Sequence, residues 1–200
     1  MTVIKRQQAP EHEALTESLA QDLVYSWCYQ AGHEITVPNC GTAWGYESDV
    51  ASMTRARLGH EFEIKVSRAD WLAELRQVRG GTRCAKRSRA EALNGARDIA
   101  RELQAAHKRG RPHAVIGGRW YGFPPPNYFW MVTAAGIIRK GELPAWAGLM
   151  EIQETARGYT LQTLRPAPRL HPMKMLDSQV MAMARGACLR YWQARKGKRG

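Results

Sequence analysis

Cysteine is scarce and poorly spaced for metal or redox chemistry. Cys28, Cys40, Cys84 and Cys188 form no Cys-x-x-Cys pair, so neither a structural zinc nor a disulfide framework is expected, and the cysteines read as buried free thiols. The six histidines (His12, His33, His60, His107, His113 and His171) lack the His-x-x-x-His and His-Glu-x-x-His spacings that put two ring nitrogens on one helical face. Long apolar runs are missing too. The longest, Tyr128 to Ile138, has 11 residues and is interrupted by Thr133 and Gly136, well short of the roughly 20 a helix needs to cross a bilayer. Met1 to Pro10 holds Lys5, Arg6, Gln7 and Gln8 where an export signal would be apolar. The expectation is a cytoplasmic protein with no membrane partner.

Acidic residues are also in short supply. Asp and Glu number 18 against 30 Lys and Arg, a net charge of +12. The excess is local: Arg76 to Arg111 holds eleven basic residues and three acids, and Arg190 to Gly200 holds five basic residues and no acid. Such surfaces gain affinity for a polyanion by releasing condensed counterions, without reading sequence. Nucleic acid is the expected partner, held by Arg83, Lys86, Arg87, Arg89, Arg97, Arg101, Lys108 and Arg109.

The apolar content of 44% supports a packed core, and the pattern along the chain alternates helix and strand. Leu15, Leu19, Leu23, Val24 and Trp27 recur at helical spacing, predicting a first helix over 11–30 that Gly32 ends. An extended segment follows over 33–38. Period-two alternation over 43–53 and 60–67 predicts an antiparallel hairpin. Ser67 and Asp70 form a capping box for a helix that carries Trp71, Leu72 and Leu75 and ends near Gly80 and Gly81. A basic helix over 83–108, a short strand over 127–133, a hairpin turning at Arg157 and Gly158, and a last helix over 176–193 complete the reading.

One constellation carries chemistry. On the second strand Glu61, Glu63, Lys65 and Ser67 share one face, and Phe62, Ile64 and Val66 share the other. On the first strand Glu47 and Asp49 share a face, and hairpin pairing brings Asp49 beside Glu63. Two carboxylates a few Å apart in a partly dry cleft repel unless a cation intervenes, and Mg²⁺ favours one or two carboxylates with waters and phosphate oxygens. Phosphodiester hydrolysis uses such a metal to neutralise phosphoryl charge and activate water, with a positioned cation in support. Lys65 is placed to be that cation.

Asp49 followed by Glu63-x-Lys65 resembles the signature of the PD-(D/E)XK nuclease superfamily, with Ser48 where the name has proline. The segments Glu47 to Val50, Glu61 to Leu72, Pro126 to Val132 and Leu143 to Glu151 are similar to the MmcB-like DNA repair proteins and their phage-encoded relatives. The resemblance covers about residues 11–152. It implies an α/β fold with a mixed central sheet flanked by helices, and dependence on Mg²⁺ or Mn²⁺. It also implies cleavage of DNA phosphodiester bonds to 5′-phosphate and 3′-hydroxyl ends, in repair, recombination or phage DNA processing in the nucleoid or an infected cell. Asp49, Glu63 and the Ile64 carbonyl would ligate metal, Lys65 would be the catalytic lysine, and Glu17 is preferred to Glu13 as a further ligand.

Glu47 is expected at the rim, and Arg68 there on a phosphate. Trp71, Tyr128, Phe129 and Trp130 have core spacing. Trp120 and Tyr121, beside Arg119 in a Gly- and Pro-rich loop, are the better candidates to stack on bases. One domain over 1–175, with a basic helical insertion over about 79–118, and a helix with a basic tail over 176–200 are expected. The alternative is a DNA-binding module that keeps the fold and does not cut.

Overall fold

The computed structural model describes residues 14–79 and 85–197. Glu13, Gly80, Gly81, Arg83, Cys84, Lys198 and Arg199 lie outside the described residues. Helix α1 (Glu17–Gln30) begins at Thr16, whose hydroxyl accepts from the Leu19 amide at 3.2 Å, a side-chain N-cap. It leads into β1 (His33–Cys40), β2 (Ser48–Thr54) and β3 (Gly59–Lys65), a meander paired antiparallel. Ser67 caps α2 (Arg68–Arg79) as expected: its hydroxyl accepts from the Asp70 amide at 3.2 Å and donates to the Asp70 carboxylate at 2.6 Å.

The expected basic helix over 83–108 is two helices, α3 (Ala85–Asn94) and α4 (Ala96–Lys108), which part at Gly95. Apolar periodicity continues across the break, which hid it. The following loop contains a small hairpin, β4 (Ala114–Ile116) and β5 (Arg119–Tyr121), turned by Gly117 and Gly118 at φ +55° and +74°. Strands β6 (Tyr128–Ala134), β7 (Ala147–Thr155) and β8 (Gly158–Arg165) complete the sheet, and α5 (Asp177–Gly197) ends the described chain.

The six-stranded sheet has the order β1-β2-β3-β6-β7-β8, with β3, β6 and β7 parallel and the other pairs antiparallel. The parallel step from β3 to β6 requires a crossover. That crossover contains α2, α3, α4 and the β4–β5 hairpin, so the basic stretch is the sheet's own connection.

Alternation on β3 decides the two faces. Phe62 and Ile64 join Val24, Val50, Trp130 and Val132 in a core under α1. The opposite face carries Glu61, Glu63 and Lys65 between two apolar clusters. One is Val37, Ala51 and Met53 with Met183 of α5; the other is Phe129 and Met131 with Trp71 of α2 and Leu93 of α3. Met175 and Met183 share a cluster, and Gln179 donates to the Ala43 carbonyl at 2.9 Å. A boundary at 175/176 therefore cuts through packed core, and the first half of α5 belongs to the domain. No helix among the described residues is long and apolar enough to cross a membrane.

Gly148 on β7 is required by a close approach. A Cβ there would lie 2.6 Å from both the Ala167 nitrogen and the Trp130 ring. Backbone and a buried indole cannot both retreat, so Gly148→Ala is expected to cost about 1–3 kcal/mol, the usual range for overpacking. Urea denaturation checks this, and an unchanged midpoint would refute the crowding.

Candidate active site

The site is built where β2 and β3 diverge. Their ladder ends at Val50 and Phe62. Two residues beyond Phe62, past the end of that ladder, the Ile64 amide donates to the Asp49 carboxylate at 2.6 Å. Gln21 of α1 donates to the Asp49 carbonyl at 3.2 Å and to the Asn39 side chain at 2.8 Å. Asp49 is thus held from its backbone and from its side chain.

Lys65 donates to Glu63 at 2.6 Å and to the Ile64 carbonyl at 2.9 Å. Asp49, Glu63 and Lys65 line one cleft of about 280 Å³ together with Tyr46, Glu47, Lys86 and Arg89. Glu47 stands exposed at its edge, where the rim was expected.

Three side chains complete the charge network from positions the sequence reading treated otherwise. Arg89 was expected on the outer basic face. It is instead 6% exposed, and its guanidinium reaches Glu63 at 2.5 Å, Glu74 at 2.6 Å and Glu61 at 3.5 Å. It lies near the Tyr46 and Phe129 rings, 5.9 and 5.5 Å from their centroids, within cation–π range. Glu74 of α2, which was not singled out, is buried and also pairs with Lys86 at 2.7 Å and Lys65 at 3.4 Å. Glu61 is fully buried and accepts from the Tyr46 hydroxyl at 2.7 Å.

The signal for Arg89 and Glu74 was present. Arg89 precedes Leu93 by four residues and Glu74 follows Trp71 by three, so each is a charge on an apolar helical stripe.

Other expected residues lie elsewhere. Arg68 forms a two-pronged pair with Glu142 and donates to the Ile137 carbonyl, so it ties α2 to the β6–β7 connection and leaves the cleft. Glu17 is exposed and does not line the cleft, although its charge acts on Asp49. Arg87 pairs with Glu91 at 3.1 Å and Arg101 with Asp98 at 3.1 Å. Arg97, Lys108 and Arg109 are exposed on or just after α4, and Lys86, half-buried, opens onto the cleft.

The electrostatics divide the acids. Burial, then the Glu63 charge, pushes the Asp49 carboxyl up to about 6, and burial pushes Glu61 up to about 7 against the pull of Arg89. Burial alone would also raise Glu63, but the charge and hydrogen bond of Arg89, with Lys65, hold it well below the ordinary range. Burial works against the Lys65 ammonium, and the Glu63 and Glu74 charges outweigh it, so its proton is held more tightly than in water.

No family model matches this chain, and no curated protein matches it. A solved structure does. It is a protein of unknown function from Silicibacter pomeroyi, with a TM-score of 0.52 and 16% identity over 96% of this chain and 94% of that one. Likeness at that identity speaks to the fold alone: a mixed α/β fold whose six-stranded mixed sheet is flanked by helices.

Whether the cleft suits a divalent metal turns on its donors. Among the described residues no three His, Cys, Asp or Glu side chains are grouped so as to hold one. What the cleft offers is two carboxylates, Asp49 and Glu63, beside the Ile64 carbonyl. Hard oxygen donors of this number suit Mg²⁺ or Mn²⁺ with water completing the shell, and do not suit zinc. The half-buried Asp49 carboxylate has no ion-pair partner within 4 Å among the described residues. A hard divalent ion here would rest on the Asp49 side, because Arg89 and Lys65 already engage Glu63 and Lys65 engages the Ile64 carbonyl.

Proposed function

We propose that this protein is a metal-dependent nuclease of the PD-(D/E)XK type that hydrolyses DNA phosphodiester bonds in repair, recombination or phage DNA processing. One observation carries the reading. Asp49, Glu63 and Lys65 meet in a single cleft, and the half-buried Asp49 carboxylate forms no ion pair within 4 Å among the described residues, with Lys65 acting on it only from a distance.

A divalent ion bound by Asp49, Glu63 and the Ile64 carbonyl would neutralise charge on the phosphoryl oxygens and make water a better nucleophile. The chain's own contribution is positioning and charge. Asp49 is aimed by the Ile64 amide and by Gln21. Lys65 stays protonated between two glutamates, so its role is to stabilise developing negative charge and orient water, and it is no general base. Lys86 and the exposed cations of α4 supply the grip on the DNA backbone.

The reading is tested by incubating the purified protein with duplex, single-stranded and branched DNA and with RNA, in Mg²⁺, Mn²⁺ or EDTA. Lys65→Ala is run alongside. Cleavage of DNA that EDTA abolishes, reduced by ~10²-fold or more in Lys65→Ala, is expected. Absence of cleavage on every substrate would remove the enzyme reading, and full activity in Lys65→Ala would remove the site. Salt-sensitive DNA binding without cleavage would favour a non-cutting module, which the seating of Arg89 on Glu63 also favours.

A further inference from the structure

A second cleft, of about 500 Å³, adjoins the first, and Tyr46, Ala85 and Arg89 line both. Its size falls within the range of small-ligand sites. Its walls are aromatic: Trp44, Trp120, Tyr121 and Phe123 join Tyr46. Trp120 is 70% exposed, unusual for so large an apolar ring. It is presented by the β4–β5 hairpin and backed by His113, with ring centroids 4.2 Å apart. Gly45, at φ +77°, brings the chain against Phe123, where a Cβ would lie 3.3 Å from the ring.

The charge of this cleft is already spent. Its two cations are Arg89, engaged with three glutamates, and Arg119, paired with Glu91 at 2.5 Å. Ring faces without available charge suit the base of a nucleotide and not its phosphate. The neighbouring cleft, with Lys86 at its mouth, suits the phosphodiester. A strand laid across both would place a phosphate in the first and an adjoining base in the second, which an intact duplex cannot do with its bases paired.

We propose that the aromatic cleft is a subsite for an unpaired nucleobase, so that the substrate class is single-stranded, flapped or frayed DNA. The proposal rests on reading the adjoining cleft as a phosphodiester site. It is tested by fluorescence anisotropy in EDTA, comparing a labelled oligothymidylate with an abasic strand of equal length and charge. Wild-type protein is expected to prefer the base-bearing strand by ~10-fold, the ratio that one stacked base gives. Trp120→Ala should remove that preference and leave affinity for the abasic strand unchanged, and Trp120→Phe should keep most of it.

Equal affinity of the wild type for both strands would overturn the proposal, as would a preference that survives Trp120→Ala. Binding of neither strand, with capture of a proline-rich peptide that Trp120→Ala abolishes, would overturn it in favour of a protein partner. Because binding is read without metal, base preference without cleavage in the earlier assay removes the nuclease and leaves the subsite. Cleavage without base preference does the reverse.

Discussion

Arg89→Met is expected to lower the free energy of unfolding at neutral pH by about 3–5 kcal/mol, the range for removing one partner from a buried ion network. The side chain keeps its volume against Tyr46 and Phe129 but loses every bond to Glu61, Glu63 and Glu74. Lys65 and Lys86 still serve Glu63 and Glu74, while Glu61 is left with the Tyr46 hydroxyl among the described residues.

The pH dependence has a definite sign. Glu63 has a depressed pKa in the folded state, so the stability it contributes is fully present above the ordinary glutamate value of about 4.5 and is lost as pH falls through the folded value. The variant loses the Arg89 share of that depression, the larger one, and keeps the share that Lys65 supplies. The gap between wild type and Arg89→Met should therefore be widest near neutrality and close as pH falls below about 4.5. Urea denaturation across this range measures it. A gap under 1 kcal/mol, or one that widens with acid, would show that Arg89 does not hold the cluster together. Added Mg²⁺ should restore more stability to the variant than to wild type, because the ion meets less competition for Glu63.

Arg89 also shows where sequence stops being informative. The faces of β3 were legible because strand alternation is local: Phe62 and Ile64 go to one side, Glu61, Glu63 and Lys65 to the other, whatever the rest of the chain does. The Ser67–Asp70 cap and the hairpin at Arg157 and Gly158 were legible for the same reason. Arg89 was grouped with its basic neighbours because its partners lie 15 to 28 residues away, on β3 and α2. A charge on an apolar stripe announces that some opposite charge is buried against it; which one depends on how helices and sheet pack. The basic residues of Arg76 to Arg111 accordingly do not all face outward. Arg89 neutralises the site from within, Arg87 and Arg101 are paired with acids of α3 and α4, and Arg76, Arg79, Arg97, Lys108 and Arg109 are among those left exposed.

The acid cluster and the basic stretch are therefore one electrostatic object. Glu61, Glu63 and Glu74 are buried because Lys65, Lys86 and Arg89 accompany them, and isolated buried carboxylates would be far too costly. Asp49 breaks the pattern. It sits at the edge of the network, next to Glu63, held by an amide and with no ion pair within 4 Å among the described residues. A position that raises the free energy of the resting protein, at the edge of an otherwise neutralised cluster, is where binding of a cation gains the most.

Asp49→Asn should for that reason move stability and activity in opposite directions. The Asp49 pKa rises from 3.8 to about 6 on folding, so the folded protein holds this proton where the unfolded chain has released it. Its contribution to stability then declines as pH rises from about 4 through 6. Asparagine still accepts from the Ile64 amide and never ionises, so without metal the variant should be more stable than wild type at pH 7, by on the order of 2–3 kcal/mol. The difference should vanish below pH 4, where wild-type Asp49 is protonated in both states. Mg²⁺ should raise the melting temperature of wild type at pH 7 more than at pH 5, since protons compete for the same carboxylate, and should leave the variant nearly unmoved. Cleavage should fall by ~10²-fold or more, because loss of several kcal/mol of metal assistance is felt at the transition state at 1.36 kcal/mol per decade. Thermal denaturation with and without Mg²⁺, set beside single-turnover cleavage, reads both effects. A variant less stable than wild type at pH 7 without metal would mean that Asp49 is a structural acid, and a variant that still cleaves would exclude it from the site.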